Sequence, residues 1–160
     1  VWDDSGLDTS GQLSLYRPVP PKGYFILGDY AERSHFNSPS DQACVLVASE
    51  ERDPDDADAV PLLAPPVGYE LVWTTAGSRA RKSCSLWRPI PPDGYAALGH
   101  IVTPGIGGMK PDCNFQCVHL GCLAAAKLRS FGPEKYFWSD KRQRSAAAGI
   151  HVSLWAVGAV

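Results

Sequence analysis

The chain uses one phrase twice, and that repetition limits what it can fold into. LSLYRPVPPKGYFILGD at residues 13–29 returns at 84–100 as CSLWRPIPPDGYAALGH, an offset of 71. The correspondence runs without a gap over residues 1–30 against 72–101, and 13 of the 30 positions are identical. Among them are Trp2 with Trp73, Gly6 with Gly77, Arg17-Pro18 with Arg88-Pro89, Gly23-Tyr24 with Gly94-Tyr95, and Gly28 with Gly99. A shorter third copy follows in FWSDKRQRSAAAGIHVSLWAV. There Trp138 takes the place of Trp2 and Trp73, and Ser153-Leu154-Trp155 that of Ser85-Leu86-Trp87, with three extra residues in the loop between. Self-similarity at a fixed period means that one supersecondary unit is used repeatedly.

Each unit reads as strands. YELVW and SLWRP alternate large residues with small or polar ones across a loop of Gly, Ser, Ala and charge, which is the pattern of a β-hairpin. Pro18, Pro20 and Pro21 cannot donate ladder hydrogen bonds, so RPVPP ends a strand at a sheet edge or corner. Gly23 and Gly94 permit the turn, and Tyr24 and Tyr95 open the next strands, YFILGDY and YAALGHI. Gly28 and Gly99 mark a bulge or a close backbone approach within them. ACVLVAS and FQCVHLG supply one more strand each. HLGCLAAAKLRSF is allowed at most one helical turn, because it begins like a strand. The expected fold class is all-β: a single β-prism domain over residues 1–160, with pseudo-threefold internal units 1–71, 72–136 and a partial 137–160. Three short sheets would share one aromatic core and carry equivalent loops at the same end. A two-sheet β-sandwich is the alternative. Trp2, Trp73, Trp87, Trp138 and Trp155, locked to the repeat, read as core residues and not as sugar-stacking platforms.

Composition narrows the function classes. With 44% apolar residues in 160, the chain can bury one core without staples. A formal net charge of -2 argues against whole-molecule attraction to nucleic acid, so any electrostatic partner is met locally. The 15 Gly and 14 Pro fall between apolar runs and so read as turns, not disorder. No run approaches a bilayer-spanning length, so a soluble or peripheral-membrane piece is expected. Its start at Val1, with Met109 the single methionine, reads as a processed or excised part of something longer. The odd count of five cysteines favours reduced, buried thiols over a disulfide framework. Cys113, Cys117, His119 and Cys122 lack the paired clip spacing of a zinc site, and in a strand Cys122 would face away from the other three. No metal and no cofactor are expected.

The phrases LYRPVPPKGYFILGDY and LWRPIPPDGYAALGHI, with YELVWTTAGS, resemble the vacuolar protein sorting-associated protein 62 family, and similar phrases occur in the adaptor-binding region of large lipid-transfer proteins. The resemblance spans nearly the whole chain. It implies a non-catalytic β-module, sometimes attached to membrane-attack-type pore-forming toxins in which a β-prism finds the membrane, and it supplies no catalytic residue.

The residues agree on non-catalysis. His35, His100, His119 and His151 fall in separate segments, with no H-E-x-x-H and no G-x-S-x-G, so no enzyme is expected. The acids of SEERDPDDADAVP at 49–61 lack calcium-loop spacing and read as a solvated loop. PPKGY and PPDGY carry one residue too many for a PPxY ligand and read as structural corners. The hairpin loops are more informative. The first, DDSGLDTSGQ, is acidic. The second, TTAGSRARKS, carries Arg79, Arg81 and Lys82, and the third, SDKRQRSAAAG, carries Lys141, Arg142 and Arg144. Threefold closure would gather these six cations at one end, where each contributes about 1 kcal/mol toward an anionic surface. The expected function is a recognition or targeting module that binds membrane anionic headgroups or glycans, as the targeting domain of a larger pore-forming or trafficking protein. Lectin-like sugar binding is weakened by the absence of a Q-x-D-x-N-x-V-x-Y strand. The alternative is a protein adaptor that receives short peptides at a strand edge or a PPxGY corner.

Overall fold

The computed structural model describes residues 2–7, 9, 11–36, 47–48, 59–108, 111–125, 127–129, 138–139, 153–154 and 156–158. In the first copy of the repeat β1 (Trp2–Asp3) and β2 (Ser14–Tyr16) form the hairpin, followed by β3 (Phe25–Ile26), β4 (Tyr30–Glu32), β5 (Val47–Ala48) and β6 (Leu63–Ala64). The second copy gives β7 (Gly68–Thr74), β8 (Cys84–Ile90), β9 (Tyr95–Ala96), β10 (Ile101–Pro104) and β11 (Cys117–His119). A 3-10 turn at Leu120–Cys122 precedes β12 (Lys127–Arg129), β13 (Trp138–Ser139), β14 (Ser153–Leu154) and β15 (Ala156–Gly158). The chain is therefore all-β, and among the described residues the segment with helical leanings contributes one turn.

Among the described residues there are three three-stranded antiparallel sheets, ordered β1-β2-β4, β10-β8-β7 and β6-β11-β9, and none closes on itself. The pairs β12-β15, β13-β14 and β3-β5 complete the pairing. Strand register follows the sequence repeat. Trp2 lies opposite Leu15, Trp73 opposite Leu86, and Trp138 opposite Leu154, with a serine opposite the next residue in each case. The third strand keeps the offset of 71, because Leu15 faces Ala31 where Leu86 faces Val102.

Two departures from the expected strands have local causes. YFILGDY forms two short strands, because the chain turns out of β3 at Leu27-Gly28, where Gly28 meets Gly99 of the second copy. In the second copy β8 continues through Pro89 to Ile90, opposite Tyr69 and Gly68. Proline is tolerated there because β10 has already ended at Ile101, opposite Trp87, leaving that side of β8 unpaired.

The main core lies between the hairpins. Trp2, Leu13, Leu15, Leu86, Val102 and Trp138 are buried together, with Trp73 packed against them. The Trp73 ring meets Trp2 at 6.2 Å and Trp138 at 6.4 Å between centroids, with interplanar angles of 76° and 81°. Such edge-to-face contacts add about 0.5–1.5 kcal/mol each beyond the burial of area. Ile26, Ile101, Phe115 and Cys117 form a second cluster. Here Tyr69 packs at the margin, and burial first, then neighbouring Cys113, pushes its phenol up to about 12.

A half-buried ion pair in the first copy reaches across to the second. Arg17 donates from Nε to Asp29 Oδ1 at 2.5 Å and from Nη2 to Asp29 Oδ2 at 2.9 Å and to the Val102 carbonyl at 2.6 Å. Asp29 Oδ2 in turn accepts the Val102 N–H at 2.7 Å. The pair thus occupies the outer edge of β10 as a neighbouring strand would, satisfying a donor and an acceptor that burial would otherwise leave costly. The Asp29 hydrogen bond is the foremost influence raising the Arg17 guanidinium above its ordinary value.

Candidate functional site

Both described hairpins are closed by the same side-chain device. Asp4 Oδ1 accepts the Leu13 N–H at 2.9 Å, and Thr75 Oγ1 accepts the Cys84 N–H at 2.9 Å. The backbone repeats the pattern, with Asp4 N–H to Leu13 O at 3.0 Å and Thr75 N–H to Cys84 O at 3.1 Å. An oxygen-bearing residue two places after each tryptophan therefore sets the base of the loop.

The loops then lean on one another at one end of the strands. Arg81 N–H donates to Ser5 O at 3.1 Å, and the Trp2 indole N–H donates to Lys82 O at 2.8 Å. A Cβ on Gly6, whose φ is +90°, would lie 2.7 Å from the Arg79 carbonyl, so only glycine lets the loops approach this closely. Lys82 Nζ reaches Asp3 Oδ2 at 2.6 Å. That hydrogen bond, helped by Ser5, lowers the Asp3 carboxyl to about 2. Trp138 carries the scheme further, donating from its indole to Asp4 Oδ2 at 2.8 Å. The third hairpin's tryptophan thus reaches the first hairpin as the first's reaches the second.

The residues expected to bind ligand divide into three groups. Arg79 and Arg81 are exposed on the second loop, and neither forms an ion pair among the described residues. Lys82 is also exposed but shares its charge with Asp3. Lys141, Arg142 and Arg144 lie outside the described residues. On the first loop Asp3 is paired and Asp4 is turned inward and buried, so among the described residues of the two loops the exposed charge without an ion-pair partner is that of Arg79 and Arg81.

At the opposite end of the strands lie the proline corners. Gly23 and Gly94 take φ of +84° and +82°, and the Tyr24 and Tyr95 N–H groups close onto Pro21 O and Pro92 O at 3.0 and 3.1 Å. Tyr95 donates its hydroxyl to Pro61 O at 2.6 Å and meets the His119 ring edge-on at 5.3 Å. Tyr24 is 42% exposed. The phrase builds a turn between strands.

The sequence model of the family described as vacuolar protein sorting-associated protein 62 matches residues 1–146, which include both proline phrases and all the hairpin residues described above up to Ser139. The chain belongs to this family. No curated protein sequence matches it. Among solved structures it resembles GNIP1Aa from Chromobacterium piscinae, with 31% identity and a TM-score of 0.71, covering 99% of this chain and 28% of that one. The vacuolar protein sorting-associated protein 62 module thus corresponds to little more than a quarter of that chain's length.

Other polar side chains of this family member bond within the fold. Asp4 is the hub: besides Leu13 and Trp138 it accepts from Thr9 Oγ1 at 2.8 Å and from the His35 Nε2–H. His119 accepts the Gly121 N–H through Nδ1 at 3.1 Å. Among the described residues no group of three or more His, Cys, Asp or Glu side chains could hold a metal ion. Cys84 and Cys117 are buried, whereas Cys122 is exposed on the 3-10 turn. The roles of Asp4 and His35 were not visible in the sequence, where Asp4 aligns with Thr75 and His35 lies 31 residues from its partner. The signal available was the demand for an acceptor two residues after each tryptophan.

Proposed function

We propose that this chain is a non-enzymatic recognition module, a single β-prism domain whose three units are related by pseudo-threefold rotation, and that its hairpin end engages anionic groups on lipids or glycans. The observation that carries the reading is the arrangement of the second loop. Arg79 and Arg81 project from a loop braced at three points by the first hairpin, through Ser5, Gly6 and Trp2. Bracing matters because a cation on an ordered mount loses less freedom when it meets a phosphate or sulfate than one on a loose loop. The rotational relation is supported by the repeated register, with Trp2 opposite Leu15, Trp73 opposite Leu86 and Trp138 opposite Leu154. That relation would set Lys141, Arg142 and Arg144 beside Arg79 and Arg81. The resemblance to part of a longer chain supports a targeting role within a larger protein.

The test is co-sedimentation with phosphatidylcholine vesicles with and without phosphatidylserine, run alongside a sulfated-glycan column. Binding to one of the anionic surfaces is expected, with affinity falling as salt rises. The double variant R79E/R81E should bind at least about tenfold more weakly, since each charge lost near an anionic surface removes about 1 kcal/mol. Equal binding by that variant would overturn the reading.

A second reading, a peptide adaptor, is favoured by one observation. The first proline corner presents Val19 at 93% exposure and Tyr24 at 42% on a defined turn. Its loss on replacing Val19, with the arginine variant unaffected, would identify that surface.

A further inference from the structure

We propose that Phe36 and Ile106 are apolar anchors that enter a lipid bilayer, so that the hairpin end docks on a membrane surface and not on a soluble glycan. This rests on the reading of that end as an anion-binding face and specifies its partner. The strands β4 and β10 both run toward the hairpin end and lead there into loop residues 34–36 and 105–107, which are equivalent in the repeat. Each loop is fixed to its hairpin by the equivalent serine. Ser14 Oγ donates to Ser34 O and Ser85 Oγ to Gly105 O, both at 2.7 Å. Further bonds hold the loop backbones: Phe36 N–H to Ser34 Oγ at 3.1 Å, Gly107 N–H to Ser85 Oγ at 2.9 Å, and Gly105 N–H to Ser83 O at 2.9 Å.

Each of these braced loops carries an exposed apolar side chain. Phe36 is 86% exposed and Ile106 is 53% exposed, the latter between two glycines that offer it no cover. A single exposed apolar residue is ordinary. Here one stands on each of two equivalent loops, and the two hairpins bearing those loops touch through Gly6 and Arg79. Arg79 and Arg81 project at the same end. Exposed cations and exposed aromatic and aliphatic side chains at one end of the strands match the mixed chemistry of a bilayer interface. A glycan offers cations their anions but gives an isoleucine nothing to enter.

The experiment measures the rise in surface pressure when the full chain is injected beneath lipid monolayers at bilayer-equivalent packing, neutral phosphatidylcholine in one arm and phosphatidylcholine with phosphatidylserine in the other. The wild-type chain is expected to raise the pressure of both films. F36S/I106S should lose the rise on the neutral film and bind vesicles at high salt roughly tenfold more weakly, while keeping salt-sensitive adsorption to anionic vesicles. R79E/R81E should show the reverse, so failure of the anion-binding reading appears in the anionic arm and failure of the anchor in the neutral one. Both apolar side chains make few contacts, so an unchanged thermal unfolding curve verifies that F36S/I106S is folded. In a second readout, F36W should be quenched by brominated acyl chains. The inference is overturned if the wild-type chain leaves the neutral film unchanged, if F36S/I106S still inserts, if F36W is unquenched, or if V19S at the opposite end abolishes insertion.

Discussion

Gly28 and Gly99 touch backbone to backbone: a Cβ built on Gly28 would lie 2.9 Å from the Gly99 Cα, and one built on Gly99 only 2.5 Å from the Leu27 carbonyl oxygen. The two repeats of the LG dipeptide therefore meet each other, and the Asp29 N–H beside them donates to His100 O at 3.0 Å. Either glycine changed to alanine forces two backbones apart, with no flexible side chain to yield. Gly99→Ala should destabilise by about 2 kcal/mol. Gly28→Ala should cost more, because its φ of +154° adds strain for any residue with a Cβ. Urea unfolding followed by tryptophan fluorescence measures both, with Gly108→Ala as a control at a place with open backbone space apart from Pro104 O at 3.4 Å.

Asp4 should be the most sensitive polar position in the hairpin end. It is buried, and it accepts from Trp138, Leu13, Thr9 and His35. Asp4→Ala leaves the buried indole N–H and the Leu13 N–H without an acceptor, for a loss of about 3 kcal/mol. His35→Ala removes one donor of four from a half-exposed position and should cost about 1 kcal/mol. Since the Trp138 indole loses its partner only in the first variant, a shift in native tryptophan emission should accompany Asp4→Ala and not His35→Ala.

The contrast between Arg17 and Arg88 explains which parts of the molecule were legible in the sequence. The two arginines are identical in the repeat, yet Arg17 forms the half-buried pair with Asp29, while Arg88 lies on the surface with Glu70. The difference is decided at the position of Asp29, which the second copy replaces with His100. The hairpins and the core positions of Trp2, Trp73, Trp87 and Trp138 were legible because they depend on period-two patterning and a constant offset, while Trp155 lies outside the described residues. Partnerships across the copies were not, because nothing local to Asp4 or Lys82 encodes His35 or Asp3. Lys82 counts as a free cation in the sequence and is a paired one in the fold. The split of YFILGDY follows from a contact between glycines 71 residues apart, which patterning within either stretch does not reveal.

The Asp3–Lys82 pair gives the fold a defined acid dependence. Asp3 titrates at about 2 in the folded chain against an ordinary value of 3.8. A depressed carboxyl contributes stability that is complete above the unfolded value and is lost as pH falls through the folded one, here between about pH 4 and pH 2. Lys82 is 64% exposed, so solvent screening holds the contribution below about 1 kcal/mol. Lys82→Met should return the Asp3 carboxyl toward its ordinary range and flatten acid unfolding over that interval. A carboxyl-carbon NMR titration that found Asp3 unmoved in the variant would refute the pairing.

Thiol reactivity should follow burial and not proximity in sequence. Burial pushes the Cys84 thiol up to about 12, so at pH 8 about one molecule in ten thousand carries the reactive thiolate. Cys117 is raised by burial as well, and Cys113 is raised chiefly by burial although Arg17 opposes the shift. Cys122 stands exposed on the 3-10 turn. Iodoacetamide at pH 8, read out by peptide mass mapping, should therefore label Cys122 in the native chain and reach Cys84 and Cys117 only in guanidinium. Cys84 is packed with Leu13, Leu86 and Val102 in the main core, so its labelling rate reports opening of the hairpins themselves. Asp4→Ala, by loosening that core, should accelerate Cys84 labelling at least tenfold while leaving Cys122 unchanged. Equal acceleration at both sites would mean that Asp4 does not specifically hold the hairpins closed.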